Sequence, residues 1–453
     1  MDRDLKSKTF GELERLVVGL GQKKYIAGYI FGFIHTKGVT DISAITPLSK
    51  SFRTRLTEQE YYISALQVVE KLTDPDGTVK YVFGLPDGKR IESVLLFDPV
   101  KSKRFPAPWN PEDSRDKVLE ISKRFQRRLS PGNSPVEFKE FPGPSPRNPK
   151  GIPEGKGISQ GDGRRTLCVS TQAGCAMGCV FCATGRLGLK RNLTTAEIVD
   201  QVNLVSEQRT ADSGQKRTER CTLHAERCIT NVVFMGMGEP LANYEAVLDA
   251  VRILNHPEGR KIGIRHITIS TCGLPEGIER LADEDIQPAS PDSRPPRRAG
   301  GETGPPAGEV SPKADRTSRG GPRLAISLNA PTDAIRQKLM PIAKRYPLDR
   351  LFRAVEVYQH KTHNRVTFEY CMIKGVNDTV LHARLLVKRL HPVRCNVNLI
   401  EYNPNAGCNL RPGGTEAIER FANTLRESGI ETTVRLKMGQ TINAACGQLG
   451  AVL

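Results

Sequence analysis

The sequence predicts an α/β protein with a small N-terminal α+β domain and a larger domain of repeated strand–helix units. From residue 165 onward, short strand-like runs alternate with amphipathic helical segments. Ahead of them, helical apolar spacing is followed by strand-like runs joined by Asp-Gly turns. Repeated βα units favour a parallel sheet, which is either open or closed into a barrel.

The N-terminal domain is predicted to span residues 1–98. The runs GELERLVVGLG and KKYIAGYIFGFIHTKG place apolar residues at helical intervals, which predicts two helices. The runs YYISALQVVEKL, DGTVKYVFGL and KRIESVLLF are predicted strands, and the Asp-Gly pairs between them are strong hairpin signals. Together these elements predict a small α+β module.

Three stretches lack both helical and strand periodicity. Residues 99–164 are rich in proline and in basic residues, which is typical of a linker or a disordered insertion. Residues 213–228 are polar, and residues 285–322 are dominated by proline, glycine and charged residues. Such stretches bury too little apolar surface to order themselves, so we expect two disordered surface insertions in addition to the basic linker.

The larger domain, residues 165–453, contains seven predicted strands with helical runs between most of them. The first helical run begins with a capping box formed by Thr194 and Glu197. Loops that follow the C-terminal ends of such strands are where active sites lie. The predicted strands are RTLCVST, NVVFMGMG, HITISTCG, LAISLNA, VTFEYCMI, NVNLIEYN and ETTVRLK.

The composition restricts the class of protein. The 453 residues carry a formal net charge of +17, which favours a polyanionic partner over the alternative of a solvated basic surface. Charge alone does not distinguish DNA from RNA. No apolar run has the roughly 18 residues of a membrane span, and the start MDRDLKSKTFGELERLV is not typical of a signal peptide. With an odd number of cysteines, eleven, and no sign of an oligomer, we expect a cytoplasmic monomer in a reducing compartment.

The run GCAMGCVFCATG places Cys175, Cys179 and Cys182 in one glycine-flanked loop directly after the first strand of the larger domain. Thiolates are soft ligands that suit zinc or an iron–sulfur cluster. A cubic 4Fe–4S cluster held by three cysteines leaves one iron without a protein ligand, unlike the usual four-cysteine site. A zinc site with a distant fourth ligand is the alternative.

The spacing C-x3-C-x2-C, with an aromatic residue before the last cysteine, resembles the signature of the radical S-adenosylmethionine (SAM) superfamily. The resemblance implies that Cys175, Cys179 and Cys182 ligate a 4Fe–4S cluster whose open iron binds the amino and carboxylate groups of SAM. It also implies that an electron from the cluster cleaves SAM to a 5′-deoxyadenosyl radical.

A closer resemblance, to the RlmN/Cfr family of adenine methyltransferases, covers almost the whole chain outside the insertions. It is carried by RTLCVSTQAGCAMGCVFCATG, VVFMGMGEPLANY, ITISTCG, LAISLNAP, FEYCMIKGVND and INAACGQL. It implies a partial (β/α)6 radical SAM barrel, preceded by an RNA-contacting domain over residues 1–98. The SAM contacts that the resemblance implies are Gly238, Glu239, Ser270, Ser327, Leu328, Asn329 and Asn403.

Two further cysteines and one glutamate receive roles from this resemblance. Cys446 corresponds to the residue that one SAM methylates and from which the radical of a second SAM takes a hydrogen. Cys168 corresponds to the thiol that resolves the resulting RNA adduct through a transient Cys168–Cys446 disulfide, and Glu92 to the base that removes the adenine proton. Without the resemblance, the alternative interpretation is that the two cysteines are small buried apolar residues and that Glu92 is a solvated residue at the end of a strand. The remaining cysteines of the predicted strands and loops are expected to be structural: Cys272, Cys371, Cys395 and Cys408.

The resemblance therefore implies an enzyme that makes 2-methyladenosine in 23S rRNA and in tRNA beside the anticodon, with two SAM molecules per turnover. Flavodoxin or ferredoxin is the expected electron donor. A Cfr-type enzyme that methylates C8 of the same rRNA adenine, and so confers antibiotic resistance, shares these motifs. A non-catalytic RNA-binding protein with a structural cluster is the alternative from another class. Residues 99–165 place Glu92 far from Cys168 along the chain, which leaves the position of Glu92 open.

Overall fold

The computed structural model describes residues 3–97, 164–211, 229–286 and 321–451. Apart from terminal residues of two of them, the predicted linker 99–164 and the predicted insertions 213–228 and 285–322 lie outside these ranges. Within them, the helices and strands alternate as the sequence predicts. No helix in the described ranges has the length and apolar character needed to cross a membrane.

The strands share one large sheet, except for a short two-stranded ladder formed by β5 and β6. Their bounds are β1 Gln67–Thr73, β2 Val79–Gly84, β3 Arg90–Phe97, β4 Arg165–Cys168, β5 Gln172–Ala173, β6 Arg191–Asn192, β7 Asn231–Phe234, β8 Ile267–Thr271, β9 Arg323–Ser327, β10 Val366–Met372, β11 Cys395–Glu401 and β12 Thr432–Val434.

The α-helices pack mainly between successive strands. Their bounds are α1 Phe10–Gly19, α2 Ile26–His35, α3 Lys50–Glu58, α4 Ala183–Arg186, α5 Thr195–Ala211, α6 Tyr244–Asn255, α7 Pro275–Leu281, α8 Asp333–Leu339, α9 Leu348–Thr362, α10 Val380–Leu390 and α11 Thr415–Glu427. Short 3-10 helices span Leu5–Ser7, Ile42–Ala44, Pro240–Asn243, Ile264–His266 and Pro341–Lys344. The capping box predicted at the start of α5 is present: Thr194 Oγ1 accepts from the backbone of Glu197, and the Glu197 carboxylate accepts from the backbone of Thr194.

The sheet runs in the order β1-β2-β3-β4-β7-β8-β9-β10-β11-β12. Within this sheet, seven neighbouring strands are parallel: β4, β7, β8, β9, β10, β11 and β12. Along the chain, each of these strands except β12 is followed by a helix that leads to the next strand of the sheet. This arrangement confirms the predicted α/β class and the partial (β/α)6 barrel. All seven strand segments predicted for the larger domain contain a strand of this sheet.

The N-terminal strands extend the same sheet. β1, β2 and β3 form an antiparallel meander, and β3 pairs antiparallel with β4 so that Val94 lies opposite Cys168. The first predicted strand begins only at Gln67, because the backbone before it bonds elsewhere: Tyr62 accepts from Leu5, and Leu66 donates to Asp200 of α5. The described residues of the N-terminal region and of the larger domain form one compact unit.

Alternation along β10 shows how the sheet separates its core from its polar face. Phe368 and Tyr370 are fully buried and stack on aromatic rings of α9 and α11. Glu369, between them, points to the opposite face, where it is in register with Ser327 of β9 and Asn398 of β11. A row of polar side chains therefore lies on the inner face of the parallel strands, close to their carboxyl ends.

Candidate active site

The cysteine loop follows β5 and folds back on itself. The backbone N–H of Cys182 donates to the Cys179 carbonyl at 3.1 Å, and Cys182 is the residue that precedes α4. Gly185 faces this turn so closely that a Cβ there would lie 3.0 Å from both the N and the O of Cys179. The glycine after the last cysteine therefore lets the first turn of α4 pack against the loop.

The three thiols of the loop lie in a desolvated environment and influence one another. Burial raises the pKa of Cys175 to about 12 and raises that of Cys179 further, and neighbouring thiols of the loop add to both shifts. Thiols in this state deprotonate only when a cation takes the charge, which fits a soft metal centre. The donor set and the shared pocket therefore fit the predicted 4Fe–4S cluster.

The zinc alternative has less support. Among the described residues, no three His, Cys, Asp or Glu side chains meet at the spacing that a single metal ion requires. A cubic cluster spreads its ligands around a larger core than one ion does. The three cysteines, close enough to perturb one another but not convergent on a point, agree better with a cluster.

An apolar wall lines the far side of the cysteine loop. Met177, Val180 and Phe181 pack against a buried group that includes Met340 and Tyr402. The loop is tied to this wall by the Val180 backbone N–H, which donates to the Leu339 carbonyl at 3.0 Å. Such a wall lowers the local dielectric and excludes water from the thiols.

Gly238 and Glu239, predicted SAM contacts, follow β7 and lie beside β5. Gly238 has φ +104°, and a Cβ on it would be 2.6 Å from the Cβ of Gln172, so only glycine fits. The Glu239 carboxylate is buried, and it accepts from the backbone N–H groups of Leu241 at 3.1 Å and Cys272 at 2.7 Å. Burial raises the pKa of Glu239. A buried carboxylate next to the thiols is a suitable acceptor for an ammonium group.

The other predicted SAM contacts lie at the carboxyl ends of β8, β9 and β11. Ser270 lies near the end of β8, Ser327 ends β9, and Leu328 and Asn329 follow it. The Asn329 side chain is committed to the protein itself, because it accepts from the Cys371 backbone and donates to Met340. All seven predicted contacts therefore meet at one edge of the sheet, although Asn329 is held by protein partners.

Asn403 combines a protein contact with an open acceptor. Its side-chain nitrogen donates to the carbonyl of Cys446 at 3.1 Å. Its side-chain oxygen is buried and has no hydrogen-bond partner among the described residues. A buried amide oxygen without a partner is costly, so a bound donor completes the site. Asn403 thus connects the SAM contacts to the segment that carries Cys446.

Cys168 and Cys446 are brought together from distant parts of the chain. Cys168 ends β4, and desolvation together with the neighbouring Cys446 thiol raises its pKa to about 12. The pKa of Cys446 is also raised by desolvation, although the residue retains solvent exposure. The Arg435 guanidinium opposes both shifts. The structure therefore places the two predicted cysteines close together, next to Cys182 of the cysteine loop, and the same Arg435 guanidinium acts on both.

The segment around Cys446 is fastened to the cysteine loop. The Gly447 carbonyl accepts from the Ala183 backbone at 2.8 Å, and the Leu449 carbonyl accepts from Thr184 Oγ1 at 2.6 Å. Both bonds join the residues directly after Cys446 to the first turn of α4, which follows the last cysteine of the loop.

Glu92 lies inside the sheet and not at a solvated strand end. Its residue is 1% exposed, its Oε1 pairs with Lys80 Nζ at 3.2 Å, and its Oε2 accepts from the Gly450 backbone at 2.8 Å. Because β3 pairs directly with β4, the long stretch between them does not separate Glu92 from the Cys168 strand. Ser170 Oγ confirms this proximity by donating to the Glu92 carbonyl.

Sequence reasoning missed several charged residues of this region. Arg435 follows β12 and pairs with Glu369 at 3.4 Å, and Lys80 of β2 pairs with Glu92. Arg336 of α8 is fully buried beside the cysteine loop. The signal available in the sequence was a charged residue inside an apolar strand, as in VTFEYCMI and TVKYVFG.

Two family models match this chain, one over the cysteine loop and one over the N-terminal helices. The model of the radical SAM superfamily matches residues 169–289, which include the cysteine loop. The model of the ribosomal RNA large subunit methyltransferase N-terminal domain matches residues 3–61, which include α1 to α3. The radical SAM family implies a 4Fe–4S cluster and SAM, which the cysteine loop and the buried Glu239 fit.

Relatives match over nearly the whole chain. The dual-specificity RNA methyltransferase RlmN of Syntrophobacter fumaroxidans is 35% identical, and the match covers 99% of this chain and 98% of that protein. An RlmN relative from Alkaliphilus oremlandii is also 35% identical, with 98% and 97% covered. The crystal structure of a radical SAM methyltransferase from Sphaerobacter thermophilus matches with a TM-score of 0.69 at 33% identity, covering 99% of each chain. The chain therefore belongs to the RlmN family of radical SAM RNA methyltransferases.

Proposed function

We propose that this enzyme methylates C2 of adenine in 23S rRNA and in tRNA beside the anticodon, with Cys446 as the methyl carrier. The observation that supports this most directly is that the free thiols of Cys168 and Cys446 lie close enough for Cys446 to raise the pKa of Cys168, with Cys182 of the cysteine loop acting on Cys446. C2 of adenine lies between two ring nitrogens and is electron-poor, so it does not attack the methyl group of SAM. A radical carbon delivered by the protein avoids this obstacle.

The proposed sequence assigns a task to each cysteine. The Cys446 thiolate first takes a methyl group from one SAM. A bound cluster would supply the electron that cleaves a second SAM, whose 5′-deoxyadenosyl radical would take one hydrogen atom from the S-methyl group and leave as 5′-deoxyadenosine. The methylene radical on Cys446 would then bond to C2 of the adenine, and the adduct would lose its C2 proton and return one electron to the oxidised cluster. The Cys168 thiolate would attack the Cys446 sulfur, so that a disulfide forms while the sulfur–carbon bond breaks, and the released carbon would take a proton to complete the methyl group.

Glu92 is the proposed acceptor of the C2 proton. Its carboxylate is buried and lies 3.2 Å from Lys80 Nζ, so a cation balances a negative charge at this position. Its second oxygen is bonded to the Gly450 backbone, four residues after the methyl carrier in the sequence. The Glu92 carboxylate therefore contacts the same short C-terminal segment that carries Cys446.

The RNA is proposed to reach the site across the N-terminal domain. Tyr25, which directly precedes α2, and Tyr29 of α2 are exposed and contact each other edge to face, next to Lys23 and Lys24. Exposed aromatic rings with neighbouring cations suit stacked bases and phosphates. A flavodoxin- or ferredoxin-type electron donor, a monomeric state and a cytoplasmic location complete the proposal.

Product mapping tests the proposed position of the methyl group. Unmodified 23S rRNA fragment and tRNA are incubated separately with reconstituted enzyme, SAM and a reductant, and the nucleosides are separated by mass spectrometry against synthetic standards. We expect 2-methyladenosine from both RNAs. A C8-methylated product would replace the proposal by the Cfr-type alternative. RNA binding without 5′-deoxyadenosine release by the cluster-loaded protein would favour the non-catalytic alternative.

A further inference from the structure

Arg336 of α8 is an unusual residue for the place that it occupies. It is 0% exposed and is the largest fully buried side chain among the described residues. Its guanidinium donates to three backbone carbonyls: Leu328 at 3.2 Å, Tyr346 at 3.5 Å, and Cys272. These partners satisfy its N–H groups but carry no net charge.

No carboxylate of the described residues forms an ion pair with Arg336. The Asp333 carboxylate of the same helix favours the charged form of Arg336 but forms no ion pair with it. The Oδ1 atom of Asp333 instead accepts a hydrogen bond from the Leu348 backbone. A buried guanidinium without a counter-ion is unfavourable by several kcal/mol in general, roughly the desolvation cost of one ion. Burial accordingly lowers the pKa of Arg336. A charge in this position is expected to have an anionic partner that the protein itself does not provide.

The cysteine loop lies on the side of Arg336 where Nη2 donates to the Cys272 carbonyl. Cys272 belongs to the same buried group as Cys179, one of the three proposed cluster ligands. The Leu339 carbonyl, at the end of the helix that carries Arg336, accepts from Val180 of the same loop. A cluster bound by the loop would therefore place the missing negative charge on the side of Arg336.

We propose that Arg336 is the fixed counter-charge of the 4Fe–4S cluster and raises its reduction potential. The proposal rests on the cluster ligation described above. Three thiolates give the cluster a net negative charge, and one-electron reduction adds another negative charge. In a desolvated pocket, a nearby cation stabilises the reduced form more than the oxidised form. The backbone carbonyls orient the guanidinium, and Gly273 allows this, since a Cβ there would lie 3.1 Å from Arg336 Nη2.

The local fold supports a function in charge and not only in packing. α8 is connected to the cysteine loop through the Leu339 carbonyl and Val180, so Arg336 is held at a fixed place relative to the ligands. An apolar side chain of similar length would leave the three carbonyls without their donor, whereas a neutral donor could satisfy them without the cost of desolvating a charge. The choice of a charged donor therefore points to an electrostatic function.

Two substitutions separate charge from volume. Arg336→Met removes the charge and keeps most of the volume, whereas Arg336→Lys keeps the charge. Arg389→Met, which removes a half-buried arginine paired with Asp349 on another part of the surface, is the matched control for loss of one positive charge. Each protein is reconstituted anaerobically, and the midpoint potential is determined by redox titration monitored by electron paramagnetic resonance, without SAM or RNA. Iron content, sulfide content and far-ultraviolet circular dichroism report cluster loading and folding.

We expect Arg336→Met to shift the midpoint potential to more negative values, Arg336→Lys to stay close to the unmodified protein, and Arg389→Met to show no shift. Full cluster loading of Arg336→Met with an unchanged potential would overturn the proposal. If Arg336→Met does not fold, Arg336→Gln, which removes the charge and keeps a hydrogen-bond donor, replaces it: a loaded Arg336→Gln with a more negative potential supports the proposal, and a loaded Arg336→Gln with the unmodified potential contradicts it. An unmodified protein that binds no cluster would instead refute the proposed function.

Discussion

Thr441 Oγ1 donates a hydrogen bond to Asp74 Oδ2 at 2.6 Å, and the Thr441 backbone N–H donates to the same oxygen at 3.0 Å. Asp76, in the same β1–β2 turn, accepts from the Gly439 backbone at 2.7 Å. The hydrogen bond from the Thr441 side chain is the largest cause that lowers the pKa of Asp74, so the acceptor stays ionised near neutral pH. The N-terminal hairpin therefore holds the segment that leads to Cys446.

Loss of this anchor is expected to impair the methyl carrier more than the fold. In Asp74→Ala, the Thr441 donors lose a charged acceptor, and we expect Cys446-dependent turnover to fall by about tenfold, in line with the strength of hydrogen bonds to charged groups. Single-turnover formation of methylated RNA measures the effect. Asp87→Ala, at the β2–β3 turn, is the control, since Asp87 pairs with Arg191 and not with the C-terminal segment. Equal rates for both variants would contradict an anchoring role.

Glu92→Gln tests the proposed base. The amide keeps the shape but cannot accept a proton, so we expect methylated RNA to fall by about 100-fold or more, as for loss of a general base. Methylation of Cys446 itself does not need this base and should proceed. Mass spectrometry of the Cys446 peptide and of the RNA nucleosides separates the two steps. Near-normal production of methylated RNA would leave Glu92 with an anchoring role only, through Lys80 and Gly450.

The release step is expected to depend on pH. Burial raises the pKa of Cys168 to about 12, so the thiol is protonated near neutral pH and only a small thiolate fraction attacks Cys446. That fraction grows about tenfold with each pH unit below the pKa, so release should accelerate between roughly pH 7 and 9. Rapid-quench measurement of product release from a preformed adduct checks this. A flat profile would show that bound RNA lowers the pKa of Cys168 or that another step limits release.

Gly238→Ala tests the SAM site through backbone geometry. With φ +104° and a Cβ only 2.6 Å from the Gln172 Cβ, alanine must shift the backbone that presents Glu239. We expect the Kd for SAM to rise by about tenfold or more, which corresponds to roughly 1.4 kcal/mol or above. Equilibrium dialysis on the reconstituted protein measures the affinity. Gly88→Ala is the matched control, because Gly88 has φ +79° with nothing within 4 Å of its Cβ position.

The local parts of the fold were predictable because short-range patterns determine them. The alternation of strands with helices, the capping box at Thr194 and Glu197 and the Asp-Gly turns all depend on neighbouring residues. The attachment of β3 to β4 was not predictable, since it joins strands on either side of residues 98–164. No local pattern encodes which strand becomes the neighbour of another across such a gap.

The candidate site also contains residues that the sequence predicts and residues that only the structure reveals. The spacing of Cys175, Cys179 and Cys182 was visible in the sequence because one loop carries all three. The cations that act on the thiols were not, since Arg336 and Arg435 reach the site from α8 and from the end of β12. Their importance follows from burial and charge, which only the packed structure defines.

The central claim, that Cys446 carries the methyl group and Cys168 resolves the adduct, has one direct test. Cys168→Ala is purified anaerobically, digested with nuclease and protease, and examined by mass spectrometry, with Cys395→Ala as a control for loss of a cysteine outside the site. The account predicts a Cys446 peptide with a methylene-linked adenosine in Cys168→Ala and its absence from the control. An intact cluster with a Cys446 peptide that carries neither methyl group nor nucleotide would contradict the account.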